Sequence, residues 1–288
     1  MKVNANEIAL VCTIEGNKNS INNQYGSFKH KRSYEDEAIK CFTHWRKNAG
    51  WLKDITIIAH CPTKNTISED TKKQLEELNV RYIEEYREET DSYKNGFLNV
   101  FLSGRMLEHD EEVKEEIFIH IDLDMTIIKE LPEHLFKHPN KIVCGAYDKS
   151  SILDQRENFG TEIFDTGFII SHKSSIFYTM FSNLINAFIE NGYDEEYRQI
   201  QESRKDLPLN DYDVEEYFFD KLYRSKLIEV IAFKNYQLGE GYPSINEYDD
   251  EELKNIYFWH EHLFYDKKEY NGIKERIEFK KRLNNEKK

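Results

Sequence analysis

Short apolar runs alternate with longer amphipathic ones through the first 121 residues, and this alternation restricts the fold more than any other feature. Residues 8–14 (Ile-Ala-Leu-Val-Cys-Thr-Ile) read as a buried strand. Residues 34–48 place Ala38, Ile39, Phe42 and Trp45 at helical spacing, and residues 54–59 supply a second strand that ends before Pro62. Ser68, standing before Glu69 and Asp70, caps a short helix that runs to Leu78. Residues 80–83 form a third strand, and residues 93–107 a helix with Phe97, Val100, Phe101 and Leu107 on one side. The fourth strand, residues 117–121, is almost continuously apolar, as a parallel strand covered on both faces should be. Strands and helices in strict turn predict a doubly wound α/β sheet, whose ligand site lies beyond the carboxyl ends of the strands. Further strands at 141–146, 164–171 and 227–232, and helices at 174–191 and 212–222, complete a mixed second half. With no repeat and no Pro- or Ser-rich linker, one compact domain is expected.

Charge narrows the partners. The chain has 288 residues, with 40 Lys+Arg against 54 Asp+Glu and a net charge of -14, so it lacks the basic footprint that nucleic acid requires. A hydrophobic content of 39% suffices for a core, and no stretch reaches the length of a spanning helix. The start of the chain shows neither the basic n-region nor the apolar run of a signal peptide, and the expectation is a soluble, cytoplasmic protein. Cys12, Cys41, Cys61 and Cys144 have no metal or redox spacing and read as reduced thiols, three of them within apolar runs.

The fourth strand runs directly into Asp122-Leu123-Asp124. In extended backbone, residues two apart share a face, so the two carboxylates are expected side by side. Such a pair suits a hard divalent cation, Mn2+ or Mg2+, and a cation held there neutralises a diphosphate that an acidic protein would otherwise repel. A surface loop can carry the same tripeptide, but at the mouth of an apolar strand two carboxylates are costly unless something pairs with them.

Three later stretches join this motif: Phe164-Asp165-Thr166-Gly167-Phe168-Ile169-Ile170, Asn210-Asp211-Tyr212-Asp213-Val214 and Phe258-Trp259-His260-Glu261-His262. With Asp122 and Asp124 they make most of the chain resemble the GT-A glycosyltransferases, in particular the retaining, glycogenin-like and galactosyltransferase-like members. The first stretch is similar to a Phe-Asn-x-Gly strand beside the donor sugar, with Asp165 where the pattern has Asn. A glycine such as Gly167 lets a ligand or another backbone come close. The second is similar to an Asn-Asp-Gln-Asp-Val segment near the reacting carbon, with Tyr212 in place of Gln. It also reads as a capped helix start.

The resemblance implies a Rossmann-like α/β domain with a mixed, mainly parallel central sheet flanked by helices. Residues 1–265 would form it, divided into a nucleotide-binding half (1–125) and an acceptor half (126–265), with a basic helix at 266–288. It implies a hexosyl transfer from a nucleotide-diphosphate sugar, UDP-sugar favoured, to a carbohydrate or glycolipid hydroxyl, with retention. Asp122 and Asp124 would hold the metal, completed by His262 or His260. The family pattern has a Lys six residues after its ligand His, as Lys268 stands after His262, which favours His262. Donor contacts would come from Thr13, Ile14, Glu15, Lys94, Asp122, Thr166, Gly167 and Lys268. Asp211 and Asp213 would act at the reacting carbon. In an inverting enzyme Asp213 or Glu216 becomes the general base.

Residues 17–33 carry Lys18, Lys29, His30, Lys31 and Arg32 with no carboxylate, and could close over phosphates as a lid or be an ordinary loop. The basic tail could dock on an anionic membrane or pack as a solvated helix. Two readings compete with a transferase. Asp122-Leu123-Asp124-Met125-Thr126 is also similar to the nucleophile motif of haloacid dehalogenase-type phosphatases, in which Asp122 would attack phosphorus, although that motif ends the first strand of its domain. The other is a sugar- or nucleotide-binding module without catalysis.

Overall fold

A computed structural model describes residues 3–14, 34–61, 67–84, 113–146, 164–191, 195–204, 214–234, 237–239 and 256–260. The expected strands are present, with small shifts at their ends. The elements are β1 (Ile8–Thr13), α1 (Tyr34–Asn48), β2 (Thr56–Cys61), α2 (Glu69–Glu77), β3 (Val80–Glu84), β4 (Ile117–Ile121), β5 (Met125–Ile127) and β6 (Ile142–Ala146). They continue with β7 (Phe164–His172), α3 (Phe177–Asn191), α4 (Glu195–Arg204), α5 (Val214–Arg224), β8 (Val230–Lys234), β9 (Gln237–Gly239) and β10 (Phe258–His260). The predicted helix at 93–107, the loop at 17–33 and the basic tail at 266–288 lie outside the described residues.

Seven strands form one sheet in the order β3-β2-β1-β4-β7-β6-β8, and β5, β10 and β9 form a second, small one. In the large sheet β1 runs parallel to β2 and β4, and β2 parallel to β3. Only β7 runs against the rest, pairing antiparallel with β4 and β6, while β6 and β8 are parallel. The fold is therefore a mixed, mainly parallel α/β sheet flanked by helices.

Two apolar cores follow from the alternation of side chains along each strand. Leu10, Ile57, Ile119, Ile121 and Phe168 pack on one face with Ala38, Cys41, Phe42 and Trp45 of α1 and Leu75 of α2. Ala9, Val11, Ile58, Phe118 and Ile169 pack on the other with Phe177 and Phe181 of α3, Tyr197 of α4, and Tyr217, Phe219 and Leu222 of α5. All five residues of β4 are buried, which accounts for its unbroken apolar character. Each fully buried Phe or Leu contributes about 2 kcal/mol of transfer free energy, so the two faces together hold the sheet between its helix layers.

Side chains from the helices close the connections. Ser68 caps α2 by accepting the Thr71 N–H, and the buried Glu35 of α1 accepts hydrogen bonds from the Ser68 N–H, the Ser68 hydroxyl and the Thr71 hydroxyl. Arg46 donates to the carbonyls of Lys53, Ile55, Leu78 and Asn79, tying α1 to the turns that enter β2 and β3. After α5 the helix ends through a left-handed Lys226 (φ 57), with the Leu227 N–H bonded to the Leu222 carbonyl. That turn takes up the residues that were expected to open β8, so the strand begins at Val230 rather than Leu227, and Leu227 is left exposed.

Candidate metal centre

β4 ends at Ile121, beside the end of β1 and opposite Phe168 in the middle of β7. Asp122, Leu123 and Asp124 do not continue it in extended form. The Met125 N–H donates to the Asp122 carbonyl at 3.0 Å and closes a turn, after which β5 leaves in a new direction. The two carboxylates therefore meet through a tight turn, not through strand alternation. Leu123 is buried in the apolar core and anchors the turn from within.

The turn hands the chain to the small sheet. β5 pairs antiparallel with β10, and the register sets Met125 opposite His260. His260 thereby reaches Asp124, with Nε2 3.0 Å from Oδ1. Asp124 and His260 are buried and Asp122 is partly exposed. The ligand atoms of the three residues lie within 4.8 Å of one another. Two carboxylates and an imidazole are a donor set that fits a divalent cation of the Mn2+ or Mg2+ kind, and the spacing is close enough for one ion to touch all three. Asp122, Asp124 and His260 could thus hold a metal ion.

Electrostatics agree with that charge pattern. Burial alone disfavours a charged imidazole at His260, but the Asp124 carboxylate, with Asp122 and Asp165 adding to it, outweighs burial and raises the pKa to about 9. In the metal-free protein a proton on His260 compensates part of the negative charge. Nearby, Cys12 at the end of β1 is a fully buried thiol whose pKa is raised well above the ordinary value, first by burial and then by Cys41. Asp122 also contributes to that rise, which shows how closely the end of β1 approaches the site.

β7 supplies the opposite wall. The Asp122 N–H donates to the Gly167 carbonyl at 3.0 Å, and the Gly167 N–H donates to Asp165 Oδ1 at 2.9 Å. A Cβ at Gly167 would lie 2.7 Å from Asp122 Oδ2 and 2.9 Å from both Asp165 Oδ1 and Met125 Cε, closer than real contacts allow. A side chain here would have to push the Asp122 and Asp165 carboxylates and the Met125 methyl aside, so glycine is what lets the two carboxylates stand this close. Thr166, beside it, is buried.

Among the residues singled out in the sequence, Asp122, Asp124, His260, Thr166 and Gly167 come together in this region. Thr13 is half-buried at the end of β1, and the Ile14 side chain is fully buried in the apolar core beneath. Glu216 stands in the first turn of α5. Glu15, Lys94, Asp211, Asp213, His262 and Lys268 lie outside the described residues. His260 is thus the histidine that the described structure brings to the carboxylates. The family pattern favoured His262 with His260 as the alternative, and His262 lies outside the described residues; the pairing of β5 with β10, across more than a hundred residues, leaves no local signature that would have marked His260. Asp165 was visible only as a replacement for Asn, and nothing local announced that its carboxylate faces Asp122. No protein-family profile matches the chain, and no curated protein matches it.

Proposed function

We propose that this protein is a divalent-metal-dependent glycosyltransferase that takes its sugar from a nucleotide-diphosphate donor, UDP-sugar being favoured, and passes it to a hydroxyl of a carbohydrate or glycolipid with retention. The observation that carries the reading is the Asp122, Asp124 and His260 cluster, set at the carboxyl end of β4 where an α/β sheet receives its ligand. The mainly parallel sheet is compatible with the GT-A architecture that the sequence resembles.

In this reading Asp122, Asp124 and His260 would hold the ion. When bound, Mn2+ or Mg2+ supplies the positive charge that stabilises a departing diphosphate. Gly167 leaves room for the Asp122 and Asp165 carboxylates to approach each other at the wall of the site, and Asp122, being partly exposed, is the carboxylate that a donor would meet first. Asp124 is buried against His260, and the Nε2 hydrogen bond between them keeps the imidazole beside the carboxylates; Nε2 would give up that proton to take the ion. Asp211, Asp213 or Glu216 would act on the reacting carbon or the acceptor hydroxyl.

A panel of nucleotide sugars with and without Mn2+ tests the proposal by thermal shift and by slow donor hydrolysis. One donor should raise the melting temperature and be hydrolysed only when metal is present. Asp124→Asn should abolish the hydrolysis while leaving the circular dichroism spectrum unchanged. Full activity in that variant refutes the mechanism. Metal-dependent cleavage of simple phosphoesters, with no response to any nucleotide sugar, would replace it by the phosphatase reading.

A further inference from the structure

The site contains a third carboxylate that an Asp-x-Asp-His ligand set does not require. Asp165 is 5% exposed and sits on β7 beside the pair. A bulge puts it there. Cys144 and Gly145 are consecutive on β6, yet they pair with Ile169 and Asp165, so residues 166–168 of β7 are extra on that side and the register shifts across them. Bulges of this kind re-aim side chains next to functional sites.

The Gly167 peptide then joins two carboxylates. Its N–H is held by Asp165 Oδ1 and its carbonyl holds the Asp122 N–H. Asp165 Oδ1 and Asp122 Oδ2 both lie within 2.9 Å of the point where a side chain at residue 167 would begin. Like charges brought together under burial repel strongly unless a cation compensates them. Asp165 is not one of the three residues whose ligand atoms cluster within 4.8 Å, so it would act on a bound ion through its charge and not as a ligand.

We propose that Asp165 is a positioning residue which sets the charge of the metal centre: it holds the Gly167 peptide against Asp122, and its carboxylate strengthens ion binding by a free energy proportional to the charge of the ion. The proposal rests on reading the cluster as a metal site. An asparagine at this position could still accept the Gly167 N–H but would lack the charge, so hydrogen bond and charge can be separated by experiment. A unit charge a few ångströms outside the contact shell, screened as strongly as in water, is worth about tenfold in affinity for a doubly charged ion and about thirtyfold for a triply charged one.

The test uses the full chain and compares wild type with Asp165→Asn, and with Asp165→Ser as a second variant whose hydroxyl can also accept the N–H. Mn2+ binding is followed by the electron paramagnetic resonance of free ion, and Tb3+ binding by luminescence sensitised through the protein's aromatic residues. Both variants should melt no lower than the metal-free wild type, because one of the repelling carboxylates is gone, and should lose about tenfold for Mn2+ and about thirtyfold for Tb3+. Unchanged affinities, or an equal loss for the two ions, overturn the proposal. Wild-type protein that binds neither ion overturns it together with the metal-dependent function. Wild-type protein that binds both ions with the expected variant losses, yet turns over no nucleotide sugar, removes the transferase reading and leaves the role of Asp165 standing.

Discussion

His260→Gln should make the metal-free protein less stable by an amount that depends on pH in a defined direction. A glutamine amide can still donate to Asp124, so the substitution chiefly removes the positive charge. With a pKa raised from 6.5 to about 9, the imidazolium contributes roughly 3 kcal/mol to folding, since each tenfold gain in proton affinity is worth about 1.4 kcal/mol. Because the folded-state value is the higher one, this contribution is fully present below pH 6.5 and is lost as pH rises through 9. Urea melts of both proteins in the presence of a chelator should give a stability difference of about 3 kcal/mol at pH 6, about 2 kcal/mol at pH 7.5 and less than about 1 kcal/mol at pH 9. Mn2+ must displace the same proton, so its apparent affinity should rise with pH toward 9 by up to about tenfold for each step of one in pH. A stability difference that stays constant or grows with pH would refute the assignment of a charged, Asp124-paired histidine.

Two further substitutions probe the frame around the site. Gly167→Ala puts a methyl group 2.7 Å from Asp122 Oδ2, so the carboxylate must move. Titration calorimetry should show Mn2+ binding reduced by at least about tenfold, with a stability loss of about 1–3 kcal/mol in urea melts. Arg46→Ala strips the donors from the carbonyls of Lys53, Ile55, Leu78 and Asn79. With the guanidinium partly exposed and water able to replace some of its bonds, the expected loss in urea melts is about 2 kcal/mol, with Mn2+ affinity unchanged.

Local pattern suffices wherever a segment's environment is decided by its own neighbours. The Ser68 cap depends on three consecutive residues and is legible in them, as is β4, whose burial on both faces shows in an unbroken apolar run. The start of β8 is not legible, because a lysine at residue 226 adopts the left-handed conformation, a choice that helix-end geometry imposes and residue type disfavours. Asp122 and Asp124 stand at the expected strand end, but a turn rather than an extended segment brings them together, so strand alternation gives the wrong geometric reason.

The sequence by itself determined the α/β class, the run of strands and helices, and the two carboxylates at the mouth of a buried strand. Hydrophobic periodicity and capping act over a few residues and leave their mark there. Only the tertiary structure decided that β7 runs antiparallel between β4 and β6, that His260 meets Asp124, and that Asp165 leans toward Asp122. Each of these depends on the register between strands far apart in the chain. Register is set by which face of every strand is buried and where a bulge falls, and a shift of one residue would turn these same side chains away from the site.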